Sequence, residues 1–190
     1  MNAVRAAVVR ERMRVAAVQY LSRPGELAAA VADHVRRIAE AADAGASVVL
    51  FPELSLTGYE PDAIDLHDIR ISTDDDVLQP LSVICQQRKV HAFIGAPTVG
   101  AALPQIGVLH VDTRGSVRVA YALYVIGTEQ RLEEQMVAVT RAGMWAVLAQ
   151  FSGGTGGGPA CGLGGAWRPD GTPVARLGAG PGMALVDLAG

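Results

Sequence analysis

The stretch FPELSLTGYE, residues 51–60, sets a carboxylate, Glu53, directly after the apolar run ASVVLF and Pro52. Strand C-termini in open α/β sheets border the crevice where ligands bind, so an acid there could take part in chemistry. The same position also suits an acid that caps a turn or pairs with an arginine. Company decides between these readings. Of the 16 basic residues only Lys89 is a lysine, and there are two cysteines, Cys85 and Cys161. Lys89 follows a helical stretch and precedes a strand, where a cation favours the helix dipole. Cys85 falls on an apolar helix face beside Leu81 and Ile84 and reads as a small core residue. Cys161 lies in GGPACGLGG. It is either a structural residue or, if the loop exposes it, a reactive thiol. Tyr59 after Gly58 either lines a pocket or packs as a turn-flanking aromatic. The run SGGTGGG (152–158) invites a phosphate-cradle reading, but no Gly-Lys-Ser/Thr ending follows. No histidine clusters with acids, so no metal site is expected.

The elements that must position these groups read as an α/β sheet protein. RVAAVQY (14–20) is a buried strand, and Leu27, Val31, Val35, Ile38 and Ala42 then fall on one helical face, with Gly45 as the stop. ASVVLF (46–51) is a second strand, which completes a parallel βαβ unit. A shorter helix, PLSVICQQRK (80–89), feeds the strand HAFIGAP, and IGVLHV and SVRVAYALYV flank a DTRG hairpin turn. Residues 129–143 predict a helix with Leu132, Met136 and Val139 on one face. MWAVLAQF is a further strand, Trp145 and Trp167 are core residues, and a hairpin around PDG closes the chain. Residues 14–190 form one domain, with 1–13 as an N-terminal extension and Met13 as an alternative start.

Composition narrows the partners. At 190 residues and 50% hydrophobic, the chain can bury one sizeable core. A net charge of −3 with interspersed signs, and only 5% aromatics, argue against a nucleic-acid surface. No apolar run approaches the ~20 residues that span a bilayer. The charged N-terminus is a poor signal peptide, and two distant cysteines match a reducing, cytoplasmic setting.

RVAAVQ, AADAGASVVLFPELSLTGYEPDA and MWAVLAQFSGGTGGGPACGLGGAWRPDGTPVARLG together resemble the nitrilase superfamily of carbon–nitrogen hydrolases. The resemblance covers residues 14–112 and roughly 130–187, in the family's order. It implies an αββα sandwich that dimerises, no metal or organic cofactor, and hydrolysis of small amides, nitriles or carbamoyl groups by a Glu–Lys–Cys triad. In such a triad a thiolate attacks the electrophilic carbon, a carboxylate moves the protons, and an ammonium stabilises the developing negative charge. The resemblance assigns the catalytic base to Glu53; Tyr59, if it lines the pocket rather than packing, is the candidate substrate-binding residue.

The other two roles find no residue. Ala122 and Leu123 stand where the family's lysine is sought, and Cys161 aligns with a small structural residue rather than the nucleophile. A central strand-helix block carrying both groups is expected to be missing, with the break between Ser116 and Arg131. Two registers fit there. One makes Glu129 an acid in a first helical turn, the other makes it the family's supporting glutamate. The chain is therefore expected to be a catalytically impaired hydrolase and a homo-oligomer, or else a non-catalytic remnant or assembly subunit. Without a lysine beside it, partial burial is expected to raise the Glu53 pKa, near Tyr59 and the Gly-rich segment 152–158.

Overall fold

The computed structural model describes residues 13–67, 69–100, 104–120 and 128–188. The β-branched run at the start becomes β1 (Met13–Leu21), the centre of the larger sheet. It bonds in parallel to β2 (Val48–Leu50) and to β7 (Gln150–Thr155), and antiparallel to β11 (Gly182–Leu188). β2 continues in parallel to β3 (His91–Thr98), and β4 (Gln105–Val111) and β5 (Val117–Ala120) follow antiparallel. β8 (Gly158–Cys161) pairs back on β7, giving eight strands in the order β5-β4-β3-β2-β1-β7-β8 with β11 on β1. A second sheet has three strands, β10 (Pro173–Arg176), β9 (Gly165–Trp167) and β6 (Ala146–Leu148).

Alternation along the strands builds the layers. Ala16, Val18 and Tyr20 of β1 face one way, into a core with Val31 and Ile38 of α1 (Leu27–Asp43) and Leu81 and Cys85 of α3 (Gln79–Arg88), the short α2 (Pro61–His67) lying between those helices in the chain. Val15 and Val186 face the other way and meet Ala166, Val147 and Ala175 of the small sheet. That sheet's outer face, Ala146 and Trp167, packs on Leu132 of α4 (Glu129–Thr140). The result is the expected αββα sandwich, with sheets of unequal width.

The βαβ start, the DTRG hairpin and the PDG hairpin form as read from the sequence. Gly45 ends α1 at φ +82°, a left-handed conformation that glycine adopts without a Cβ penalty. In the first hairpin Asp112 Oδ1 accepts from the amides of Arg114 (2.8 Å) and Ser116 (3.0 Å). Three details differ. Val139 is 42% exposed although it falls at helical spacing from Leu132 and Met136, which do pack in the small-sheet core, and Thr140 next to it is buried. MWAVLAQF is not one strand, since β6 joins the small sheet and β7 the large one, with Ala149 at the crossing. SGGTGGG is not an open loop but the β7–β8 hairpin. Residues 121–127, within the suspected break, lie outside the described residues.

One polar side chain ties the sheets together. Gln19, fully buried in β1, donates from Nε2 to the Gly178 carbonyl (2.7 Å) and to that of Gly180, and its Oε1 accepts from the Gly164 amide (2.8 Å). An apolar replacement would strand an amide and two carbonyls, each costing about 1–3 kcal/mol if it stays dry. Gln19→Leu should therefore lower the unfolding free energy by about 2 kcal/mol or more in urea titrations, despite similar volume. A loss within 0.5 kcal/mol would mean that water reaches these groups.

Candidate functional site around Glu53

The parallel ladder carries the chain to the site. Phe51 N–H still donates to the Phe93 carbonyl (2.9 Å), and the backbone then turns sharply. Ser55 N–H closes the turn on the Pro52 carbonyl (3.2 Å), and Leu56 N–H returns to the Gly95 carbonyl (3.0 Å). Leu54 sits inside this turn at φ +55°, an uncommon conformation for a side chain of its size. Its side chain is buried, which helps hold it there. Gly95 is what lets β3 come so close. A Cβ there would lie 2.3 Å from Pro52 O, 2.4 Å from Leu54 N and 2.6 Å from Glu53 Cα.

Glu53 stands in the middle of the turn with both carboxylate oxygens buried and, among the described residues, no hydrogen-bond partner. Burial alone pushes its pKa from 4.5 up to about 7. Burial raises the pKa of the Tyr59 hydroxyl, and the nearby Glu53 charge raises it further. Tyr59 packs edge-on against Phe151 at 6.1 Å, and its amide donates to Ser22 Oγ at 3.1 Å. The tip of the β7–β8 hairpin lies over it. Gly156 N–H donates to the Tyr59 carbonyl (2.8 Å), and a Cβ at Gly157 would meet the ring at 2.5 Å. Glu53, Tyr59 and the Gly-rich segment are thus brought together, and glycines are needed where that hairpin meets the aromatic.

Lys89, Cys85 and Cys161 are held elsewhere. Lys89 caps α3 at φ +56°, at the start of β3. Register pairs Leu50 with Phe93, so the strand runs roughly 20 Å from Lys89 to the level of Glu53, at about 3.3 Å per residue. Cys85 is fully buried in α3, its thiol pushed up to about 12 mainly by burial. Cys161 is a half-buried thiol packed with Leu132, Ala146 and Trp167, whereas neighbouring Ala160 packs in the core that holds Tyr59 and Phe151. Burial raises the Cys161 pKa, and the charge of Glu129, at the start of α4, raises it further. Among the described residues no group of three or more His, Cys, Asp or Glu could hold a metal ion. Nor is any helix among them long and apolar enough to cross a membrane. An open cleft of about 460 Å³ on α4, lined by Glu133, Glu134, Val137 and Arg141, contains no nucleophile.

Sequence reasoning passed over His34, Ser55 and Gly95. His34 is fully buried on α1, between Val31 and Ile38 of the apolar face, and that spacing was its signal. A glycine inside the strand HAFIGAP likewise marks close backbone approach.

The carbon–nitrogen hydrolase family matches residues 14–107, from β1 into β4. That match spans 94 of the 190 residues, so the first half of the chain is similar to the carbon–nitrogen hydrolases. Its fold is similar to that of the amidase from Nesterenkonia AN1, described as a member of the nitrilase superfamily. A cysteine-to-serine mutant of that amidase matches at a TM-score of 0.80 and 20% identity, over 96% of this chain and 94% of that one. The complex of another mutant with butyramide matches at 0.80 and 21%, over 93% and 90%. A third structure, with the acetamide moiety of fluoroacetamide covalently added at the active-site cysteine, matches at 0.79 and 20%, over 93% and 90%. None of the curated proteins matches the sequence.

Two outcomes follow from the geometry. Gly95→Ala should force β3 off the Pro52–Leu54 turn and cost about 1–3 kcal/mol or more in urea titrations. A neutral result would mean that the turn has room to spare. The second concerns pH. The folded state holds the Glu53 proton more tightly than the unfolded chain, so this stabilisation is complete below pH 4.5 and is lost as pH rises through about 7. Glu53→Gln should match the wild type near pH 4 and exceed it at pH 8. His34, held down to about 4 by burial from the ordinary 6.5, works in the opposite sense. Its contribution is present above pH 6.5 and fades as pH falls through 4. Between pH 4.5 and 6.5 the two slopes oppose each other, so Glu53→Gln should also unmask a rise in stability with pH across that window. Parallel curves for variant and wild type would contradict this.

Proposed function

We propose that this chain is an amidase- or nitrilase-type carbon–nitrogen hydrolase by descent that keeps the general base, Glu53, and a pocket-lining residue, Tyr59, but no longer turns over amides or nitriles. One observation carries the reading: the chain's only lysine lies at the far end of β3, and its two thiols are packed in clusters with raised pKa values. Covalent C–N hydrolysis needs a thiolate to attack the carbon and a cation to stabilise the oxyanion. A neutral thiol facing α4 supplies neither a nucleophile nor a route to Glu53. Among the described residues the second sheet has three strands against eight, which supports the loss of a central block after β5.

The base alone does little. Loss of a nucleophile typically costs on the order of a million-fold in turnover, or roughly 8 kcal/mol of barrier. Loss of the cation then adds little, because no covalent intermediate remains for it to stabilise. Incubation with a panel of short amides and nitriles, butyramide included, should give no hydrolysis above buffer and no acyl adduct on Cys161 in peptide mass spectra. Steady turnover abolished by Cys161→Ala would overturn the proposal.

A further inference from the structure

His34 joins the helical layer to the turn that carries Glu53. Its ring lies between those of Phe51 and Tyr20, with centroids at 4.3 and 5.0 Å. Nδ1 is 2.7 Å from the Ala30 carbonyl oxygen, which can only accept, so Nδ1 carries the proton and Nε2 keeps its lone pair. Ser55 Oγ is 3.0 Å from Nε2 and therefore donates to it. Ser55 is also the residue whose amide closes the turn on Pro52, with Glu53 and the left-handed Leu54 enclosed between them. The ionisable groups acting on His34 are Asp33 and Arg37 of its own helix, and Tyr20 faces it from β1. Tyr59 is the titratable group that responds to Glu53. A neutral imidazole suits this task. It anchors the turn by a hydrogen bond yet brings no charge that would pair with the carboxylate.

We propose that His34 is a positioning residue for Glu53: through Ser55 it clamps the Pro52–Ser55 turn to α1 and so keeps the carboxylate buried without a partner of its own. This rests on Glu53 being the retained base, and it adds the device that holds that base in place. The device lies outside the Glu–Lys–Cys set and acts only through the turn.

The test is a double-mutant cycle read as a function of pH. The ratio of folding equilibrium constants, Glu53→Gln over parent, is measured by urea titration at pH 4 and pH 8. In the parent chain it should rise about tenfold or more, one decade for each pKa unit of displacement. In the Ser55→Ala background, where the turn is free to open to water, the rise should shrink to about twofold or less, and Ser55→Thr, which keeps a hydroxyl, should restore it. A general destabilisation by Ser55→Ala moves both members of the ratio equally and leaves the rise intact. The same tenfold rise in Ser55→Ala would overturn the proposal. So would a flat ratio in the parent chain, since no buried charge would then need placing. Turnover does not enter this cycle, so hydrolysis by the chain would refute the loss of activity and leave this result standing.

Discussion

The site depends on one close approach of backbone to backbone. At the end of the β2–β3 ladder the Pro52–Leu54 turn lies directly on Gly95, with no room for a single methyl group between them. That contact converts a strand end into a rigid platform. It accompanies the left-handed conformation of Leu54 and returns the chain through the Leu56–Gly95 hydrogen bond. A carboxylate on a flexible loop would find water or an arginine. Here both oxygens are enclosed and unpaired.

An unpaired buried acid lowers stability at neutral pH, and the fold does nothing to relieve it. Arginines are plentiful, but they are engaged elsewhere. Arg14 bonds Asp187, Arg88 bonds Asp43, and Arg36 and Arg37 bond Asp33. His34 approaches only as a neutral ring, through Ser55. Glu53 is thus left desolvated, with Lys89, Cys85 and Cys161 all held apart from it. The left-handed Leu54 and the desolvated Glu53 are adjacent, so backbone strain and desolvation are kept together in one turn.

Most of the fold was legible because it rests on local periodicity. The β-branched runs at 14–20 and 46–51, the helix between them and the glycine that ends it all form as read. The layer order was carried by resemblance and is reproduced in the packing of β1, β9 and α4. Long-range choices were not legible. Nothing in MWAVLAQF announces that the chain leaves one sheet for the other at Ala149, and the pairing of SGGTGGG across its own turn is visible only once β1 offers an edge to β7. At the site, Glu53 and Tyr59 stood out by residue type and place. His34 did not, because a histidine among apolar residues on a helix declares its role only when Ser55 and Ala30 appear at its two nitrogens.

The central claim is that Glu53 is enclosed without a partner, and its own titration addresses this most directly. With ¹³C-labelled glutamate and Glu53→Gln to assign the signal, the side-chain carboxyl shift can be followed between pH 3 and 9. The account predicts a midpoint of about 7, well above the ordinary 4.5. A midpoint at or below 4.5 would show that water or a cation reaches the carboxylate, and would contradict it.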